Sequence, residues 1–260
     1  MNLEDYNNEK YVAHYTTLNT VVEHIVPTNK LKISSSIHTN DPYENTFDWI
    51  ESYSLGHNLV FNEQLDTLNL LRQKIYNLIK IFCTTSYDKS STHSNDFSNH
   101  IYGKPRMWAQ YGDNHKGVCL IFDKNELQEQ FETIDRIALF AKHIEYFDDL
   151  SIINNTIDID SSQLEILLRN PDRIFDILNN NHQLYHKFFR KHLDWKSENE
   201  YRWLLFSRTP NELYLDFYKS LKAIVFGSKV PDRYFSSLKY DNIPLYCLDY
   251  RNNNYQSIKL

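Results

Sequence analysis

Glycine is scarce in this chain: five residues among 260, two of them, Gly112 and Gly117, inside the single segment Met107–Val118. So uneven a placement points to special backbone angles in that segment. With only seven prolines as well, little material is left for a flexible linker. The length then favours a single domain over residues 1–260, carrying a mostly helical insertion around residues 150–192. The chain has no G-x-G-x-x-G and no Walker loop, which argues against a Rossmann dehydrogenase and a P-loop nucleotidase.

Hydrophobic residues make up 41% of the chain and charged residues 24%, enough apolar material to bury a core and to exclude a disordered or fibrous polypeptide. The net charge of -6 opposes non-specific attraction to nucleic acid or to an anionic membrane, although it leaves room for a local basic groove. Nucleic acid therefore stays among the partners considered, and a membrane does not. Cys83, Cys119 and Cys247 are odd in number and far apart, so they suggest neither a disulfide framework nor a cysteine zinc site. The N-terminus lacks the basic and apolar regions of a signal peptide, and no apolar run approaches the ~18–20 residues of a membrane span. A reducing, cytoplasmic location is expected.

Periodicity predicts strands at Tyr11–Tyr15, Leu31–Ser34, Lys80–Thr85, Val118–Phe122, Ile137–Tyr146, Glu200–Phe206, Leu221–Phe226 and Pro244–Leu248. It predicts helices at Leu18–Val26, Gln64–Ile79 and Lys124–Phe131, a helical turn at Met107–Tyr111, and a mostly helical stretch Ser161–Lys191 broken near Pro171. Tyr87–Gly103, rich in Ser, Asn, His and Asp, reads as a loop. This order implies an α+β fold with a mixed or antiparallel sheet core.

Four clusters are candidates for carrying chemistry. His14, Tyr15 and Thr16 end the first strand, where an imidazole and a hydroxyl can bond a ribose or an amide; equally, Thr16 or Thr17 caps the next helix and His14 is a satisfied sheet residue. Asn40, Asp41 and Glu44 flank the rigid turn at Pro42 and can anchor a substrate or simply form an Asx turn. Trp108 and Tyr111 share a helical face able to stack on a planar ring or to pack, with His115 and Lys116 following. Trp195 precedes Glu198, Glu200 and Arg202, which share one side if the segment is extended; they form a solvated edge with an Arg–carboxylate pair or, because the apolar Trp203–Phe206 carries the strand into the core, a site at its mouth. No metal set is assigned: His182 and His186 have the four-residue helical spacing of ligands but no H-E-x-x-H, and a surface helix is the commoner outcome. Cys83 and Cys119 read as core thiols.

As an ordered set, these elements (N-D-P-x-E at Asn40–Glu44, M-W-x-x-Y at Met107–Tyr111, W-x-x-E-x-E-x-R at Trp195–Arg202, and the Ile224–Gly227 segment) resemble the bacterial domain-of-unknown-function family 2971. The chain more loosely resembles ADP-ribosyltransferase-like domains, in which an early strand offers a histidine followed by a hydroxyl residue and a later strand supplies a glutamate. That second resemblance implies NAD as the substrate cofactor, with His14 anchoring a ribose and Glu198 or Glu200 stabilising an oxocarbenium-like transition state. It also implies Trp108 or Tyr111 against nicotinamide.

The leading expectation is an NAD-dependent ADP-ribosyltransferase or NAD hydrolase, such as a bacterial toxin or antiphage effector acting on an unknown macromolecular acceptor. Its catalytic residues would be Glu200, Glu198 and His14; Tyr15, Thr16, Asn40, Asp41, Glu44, Trp108, Tyr111, His115, Lys116, Trp195 and Arg202 would bind substrate. One alternative is a metal-dependent nuclease using Asp41, Glu44, Glu198 and Glu200, with Lys116 or Lys191 assisting. Another is a non-catalytic nucleotide sensor. The leading reading requires residues far apart in sequence, His14 and the glutamates of Glu198–Glu200, to share one cleft.

Overall fold

The computed structural model describes residues 2–42, 44, 50–51, 61–88, 97–149, 157–176, 187–238, 242–251 and 254–260. Tyr43, part of the loop after Tyr87, and the paired histidines His182 and His186 lie outside the described residues. Along the first half run β1 (Tyr11–Thr16), β2 (Lys30–Ser35), β3 (Ile50–Glu51), β4 (Ile79–Ser86), β5 (Val118–Asp123), β6 (Ala138–His143) and β7 (Glu145–Phe147). The second half adds β8 (Ile157–Asp158), β9 (Arg190–His192), β10 (Glu200–Phe206), β11 (Leu213–Asp216), β12 (Leu221–Phe226), β13 (Leu245–Arg251) and β14 (Asn254–Lys259).

Ten of these strands form one sheet in the order β11-β2-β4-β1-β5-β12-β13-β14, with β10 on the other edge of β4 and β6 beyond it. All its pairings are antiparallel except β12 with β13, so the fold is α+β with a mixed sheet. Strand alternation splits the core. Val12, Phe82, Phe122, Trp203 and Leu205 pack on one face with Leu127 and Phe131 of the helix Lys124–Glu132. On the other face, Ile79, Ile81, Leu204 and Phe206 meet Leu71 and Ile75 of the helix Phe61–Leu78, and Ala13, Tyr15 and Cys119 meet Met107 and Trp108. Among the described residues no helix is long and apolar enough to cross a membrane.

Three expectations need correction. The stretch Ser161–Lys191 is helical at Ser161–Arg169, but its end is strand: β9 pairs in parallel with β7, Lys191 opposite Tyr146. The segment Ile137–Tyr146 is two strands, because Ile144 turns its N–H to the Glu200 carbonyl between them. Nor is Trp195–Arg202 extended throughout. Leu193–Glu198 is a 3-10 helix, left-handed Asn199 (φ 45°) ends it, and the strand begins at Glu200.

The glycines also act differently from expectation. No described glycine has a positive φ; the left-handed backbone falls on Asp113, Asn114 and His115, at 47°, 52° and 72°. Gly112 and Gly117 serve close approach instead. A Cβ at Gly117 would lie 2.3 Å from the Thr16 carbonyl oxygen and 2.8 Å from the Gly112 carbonyl carbon, both backbone atoms that cannot swing aside. Gly117→Ala is therefore expected to cost about 1–3 kcal/mol, read from the urea midpoint, and an unchanged midpoint would show that β1 and this turn can part freely.

Candidate functional site

β4 is shared unequally. Along one edge β10 pairs with Ile79–Thr85. Along the other, β1 holds only its end, Ala13 opposite Thr85 and Val12 opposite Ser86, while β2 holds Ile81 and Lys80. Among the described residues no partner strand registers with Phe82, Cys83 or Thr84 on that edge, and the sheet opens there. Ser86 turns its N–H to Asn199 on the β10 side, so by antiparallel alternation Cys83 faces the opening, where its carbonyl lacks a ladder donor. The His14 side chain supplies one: Nδ1 donates to the Cys83 oxygen at 3.0 Å, and the ring stacks on Phe82 at 4.7 Å. That bond fixes the neutral tautomer, leaving Nε2 as the acceptor. Burial holds the His14 pKa below its ordinary value despite the Cys83 carbonyl.

The opening leads into a cavity of about 930 Å³. At one end lies a buried network of five charges. Arg202 places Nε 2.6 Å from Glu200 Oε1, Nη2 3.1 Å from Glu200 Oε2, and Nη1 2.6 Å from Glu44 Oε1 and 2.8 Å from the Phe188 carbonyl. Lys191 Nζ bridges Glu198 Oε2 at 2.9 Å and Glu200 Oε2 at 2.8 Å. Tyr111 donates its phenol to Glu198 Oε1 at 2.7 Å, and the Glu200 N–H donates to the Tyr146 hydroxyl at 3.0 Å.

The charges arrive from different elements. Glu200 and Arg202 are alternate residues of β10 and share a face with Cys83 of β4, opposite Tyr201 and Trp203. Glu198 is swung back by the left-handed Asn199, whose amide donates to the Ser86 carbonyl at 2.8 Å. Lys191 comes from β9.

Burial drives these groups apart in proton affinity. It opposes the Glu200 charge, but Arg202 and then Lys191 outweigh it and hold the carboxyl down to about 2. Burial likewise opposes the Lys191 charge, and Glu200 and Glu44 outweigh it, keeping the ammonium protonated. At Glu44 burial prevails over Arg202 and Lys191, and its pKa rises. The two glutamates then have opposite linkage signs. The Glu200 contribution is present above the ordinary carboxylate value of 4.5 and is lost as pH falls towards about 2. The Glu44 contribution is present below 4.5 and is lost as pH rises through the raised value. Glu44→Gln is thus expected to gain stability relative to the parent as pH rises from 4.5 through the raised Glu44 value, measured as the difference in urea midpoint across the pH series. A difference constant with pH would remove the case for an elevated Glu44.

The cavity gathers His14, Tyr15, Thr16, Asn40, Glu44, Tyr111, Glu198, Glu200 and Arg202 from the sequence-derived set. His14 and Glu200 line it from opposite faces of the sheet, since His14 lies with Phe82 and Glu200 with Cys83. Tyr15 is held by its hydroxyl donating to the Ile101 carbonyl at 2.8 Å, so packing employs it.

The other five expected binding residues do not line the cavity. Asp41 is buried in the turn, its carbonyl accepting the Glu44 N–H at 3.1 Å. Trp108 is wholly buried, with its indole N–H on the Tyr102 carbonyl at 2.8 Å, because only Tyr111 of that pair turns toward Glu198. His115 stacks on Trp108 at 6.1 Å, and Lys116 is exposed on the turn. Trp195 backs the network, with Arg106 and Lys191 over its ring at 5.2 and 5.3 Å. The cavity also takes in Cys83, and Tyr146 joins the network; spacing marks neither as a site residue.

Residues 107–203 match the family model described as Protein of unknown function (DUF2971). The matched span contains Tyr111, Lys191, Glu198, Glu200 and Arg202, whereas His14 and Glu44 precede it. Neither a curated protein nor a solved structure gives a significant match.

Proposed function

We propose that the cavity binds a nucleotide of the NAD class and breaks its nicotinamide–ribose bond, passing ADP-ribose to water or to a macromolecular acceptor. The observation that carries this reading is convergence: His14 and Thr16 from the first strand share one cavity with Glu44 and Glu198 from distant segments. About 930 Å³ lies within the range of small-molecule sites. His14 Nε2 is the acceptor for a ribose hydroxyl, since Nδ1 is committed to Cys83. As the C–N bond breaks, its electron pair leaves with nicotinamide, and positive charge develops on the ribose. Glu198 is the carboxylate that faces this charge. The attacking water or acceptor adds to the ribose carbon and releases a proton. Glu200, gripped by both Arg202 and Lys191, is a positioning residue that holds those two cations.

The nuclease alternative loses its ligand set to ion pairs, since Arg202 and Lys191 occupy three of its carboxylates, Glu44, Glu198 and Glu200. The sensor alternative retains one favouring observation: each oxygen of Glu198 and Glu200 already has a partner, as in a network built to bind without reacting. Incubating the full chain with NAD and following free nicotinamide and ADP-ribosylated acceptors by mass spectrometry separates these readings. Nicotinamide release is expected. Binding without release would leave the sensor, and neither binding nor release would overturn the NAD reading.

A further inference from the structure

Among the described residues, the glutamate end of the cavity holds more negative charge than the cations beside it neutralise. Among the described residues three carboxylates, Glu44, Glu198 and Glu200, meet two cations, Lys191 and Arg202. Arg202 forks onto Glu200, and Lys191 bridges Glu200 to Glu198, which leaves Glu44 the least satisfied of the three. Its ion pair with Arg202 runs through Oε1, from a nitrogen that also donates to the Phe188 carbonyl. Among the described residues Oε1 of Glu44 meets only that guanidinium and Oε2 meets no donor, although the side chain is only 8% exposed and lines the cavity. A buried acceptor left in this state is costly unless something entering the site completes it.

We propose that the Glu44 end of the cavity is a subsite for a cationic group that donates an N–H hydrogen bond to the Glu44 carboxylate. On the NAD reading, on which this identification of the ligand rests, that group is the nicotinamide end, with its positively charged ring and its carboxamide. An incoming cation balances the three carboxylates, and the carboxamide N–H gives Glu44 Oε2 the donor that the described residues do not. Such an arrangement also orients the ligand: nicotinamide lies by Glu44 and Glu198, and the rest of the nucleotide runs along the opening past His14 and Thr16.

The test uses two small probes on the intact chain, with calorimetry as the readout. 1-Methylnicotinamide carries the cation and the carboxamide; nicotinate replaces both features with a neutral ring and an anionic carboxylate. 1-Methylnicotinamide is expected to bind at least about tenfold more tightly than nicotinate, the ratio for one hydrogen bond to a charged group. Glu44→Gln should bring that ratio close to one. Equal affinity of the parent for the two probes, or binding of neither, overturns the subsite without recourse to any variant. A folded Glu44→Gln protein that keeps the full ratio overturns it too. NAD cleavage measured in parallel separates the two proposals. Cleavage with no Glu44-dependent preference sinks the subsite and spares the NAD reading, whereas the preference without cleavage supports the subsite and counts against turnover.

Discussion

Arg202→Met is expected to cost about 3–5 kcal/mol of folding stability, because it leaves buried carboxylates without their main counter-charge. Arg202 is 2% exposed and its guanidinium serves Glu200, Glu44 and the Phe188 carbonyl at once. Methionine replaces much of the apolar stem, so the loss reports on charge more than on volume. Lys191 alone would then face three glutamates, and the protein must take up protons or water to relieve them. Adding Glu44→Gln to Arg202→Met should recover part of the loss, since one uncompensated carboxylate goes with it; that non-additivity is the signature of a shared network. The exposed Lys32–Glu212 pair is the control, and Lys32→Met should leave the midpoint in place. The measurement is urea unfolding at neutral pH. A loss below about 1 kcal/mol for Arg202→Met would mean that water already reaches these groups and that the network is not the dry cluster described above.

Much of the sheet can be read from residue alternation. In β10 the polar Glu200 and Arg202 alternate with Tyr201 and Trp203, and the two sets part to opposite faces as period-two spacing requires. Other features leave no local trace. Lys191 sits on a three-residue strand paired in parallel with β7, and a parallel pair so short has neither a hairpin turn nor a run of alternation to announce it. Glu198 reaches the network only because Asn199 adopts a left-handed conformation, which a sequence pattern of alternating charge does not encode. The opening in the sheet comes from the divergence of β1 and β2 along β4, a tertiary event with no single-residue marker beyond the histidine that crosses it. Trp108 and Tyr111 show the limit from the other side. Helical spacing puts them on one face, yet the short helix Pro105–Gln110 buries the first and ends before the second.

Glu198→Gln and Glu200→Gln should fail in different ways, and the contrast tests whether the carboxylate that lines the cavity or the one that anchors the cations does the chemistry. Glu198→Gln is expected to lower kcat/KM for NAD cleavage about 10²–10³-fold, the usual effect of removing one electrostatic stabiliser of a transition state. Its stability should suffer little, since the amide oxygen still accepts from Tyr111 and Lys191 keeps Glu200. Glu200→Gln removes the group to which Arg202 and Lys191 are both bound, so its first effect should be a lowered urea midpoint. Whatever activity remains should be limited by the folded fraction and by displacement of Glu198, whose Lys191 partner has lost its second anchor. Turnover lost in Glu200→Gln at full stability, with Glu198→Gln active, would reverse the two assignments. The reacting carboxylate would then be the one whose pKa Arg202 and Lys191 hold down, despite its two cations. If both variants stay folded and both turn over NAD at the parental rate, the chemistry lies outside this network, and the three buried glutamates exist to hold β9, β10 and the Asn40–Glu44 turn together.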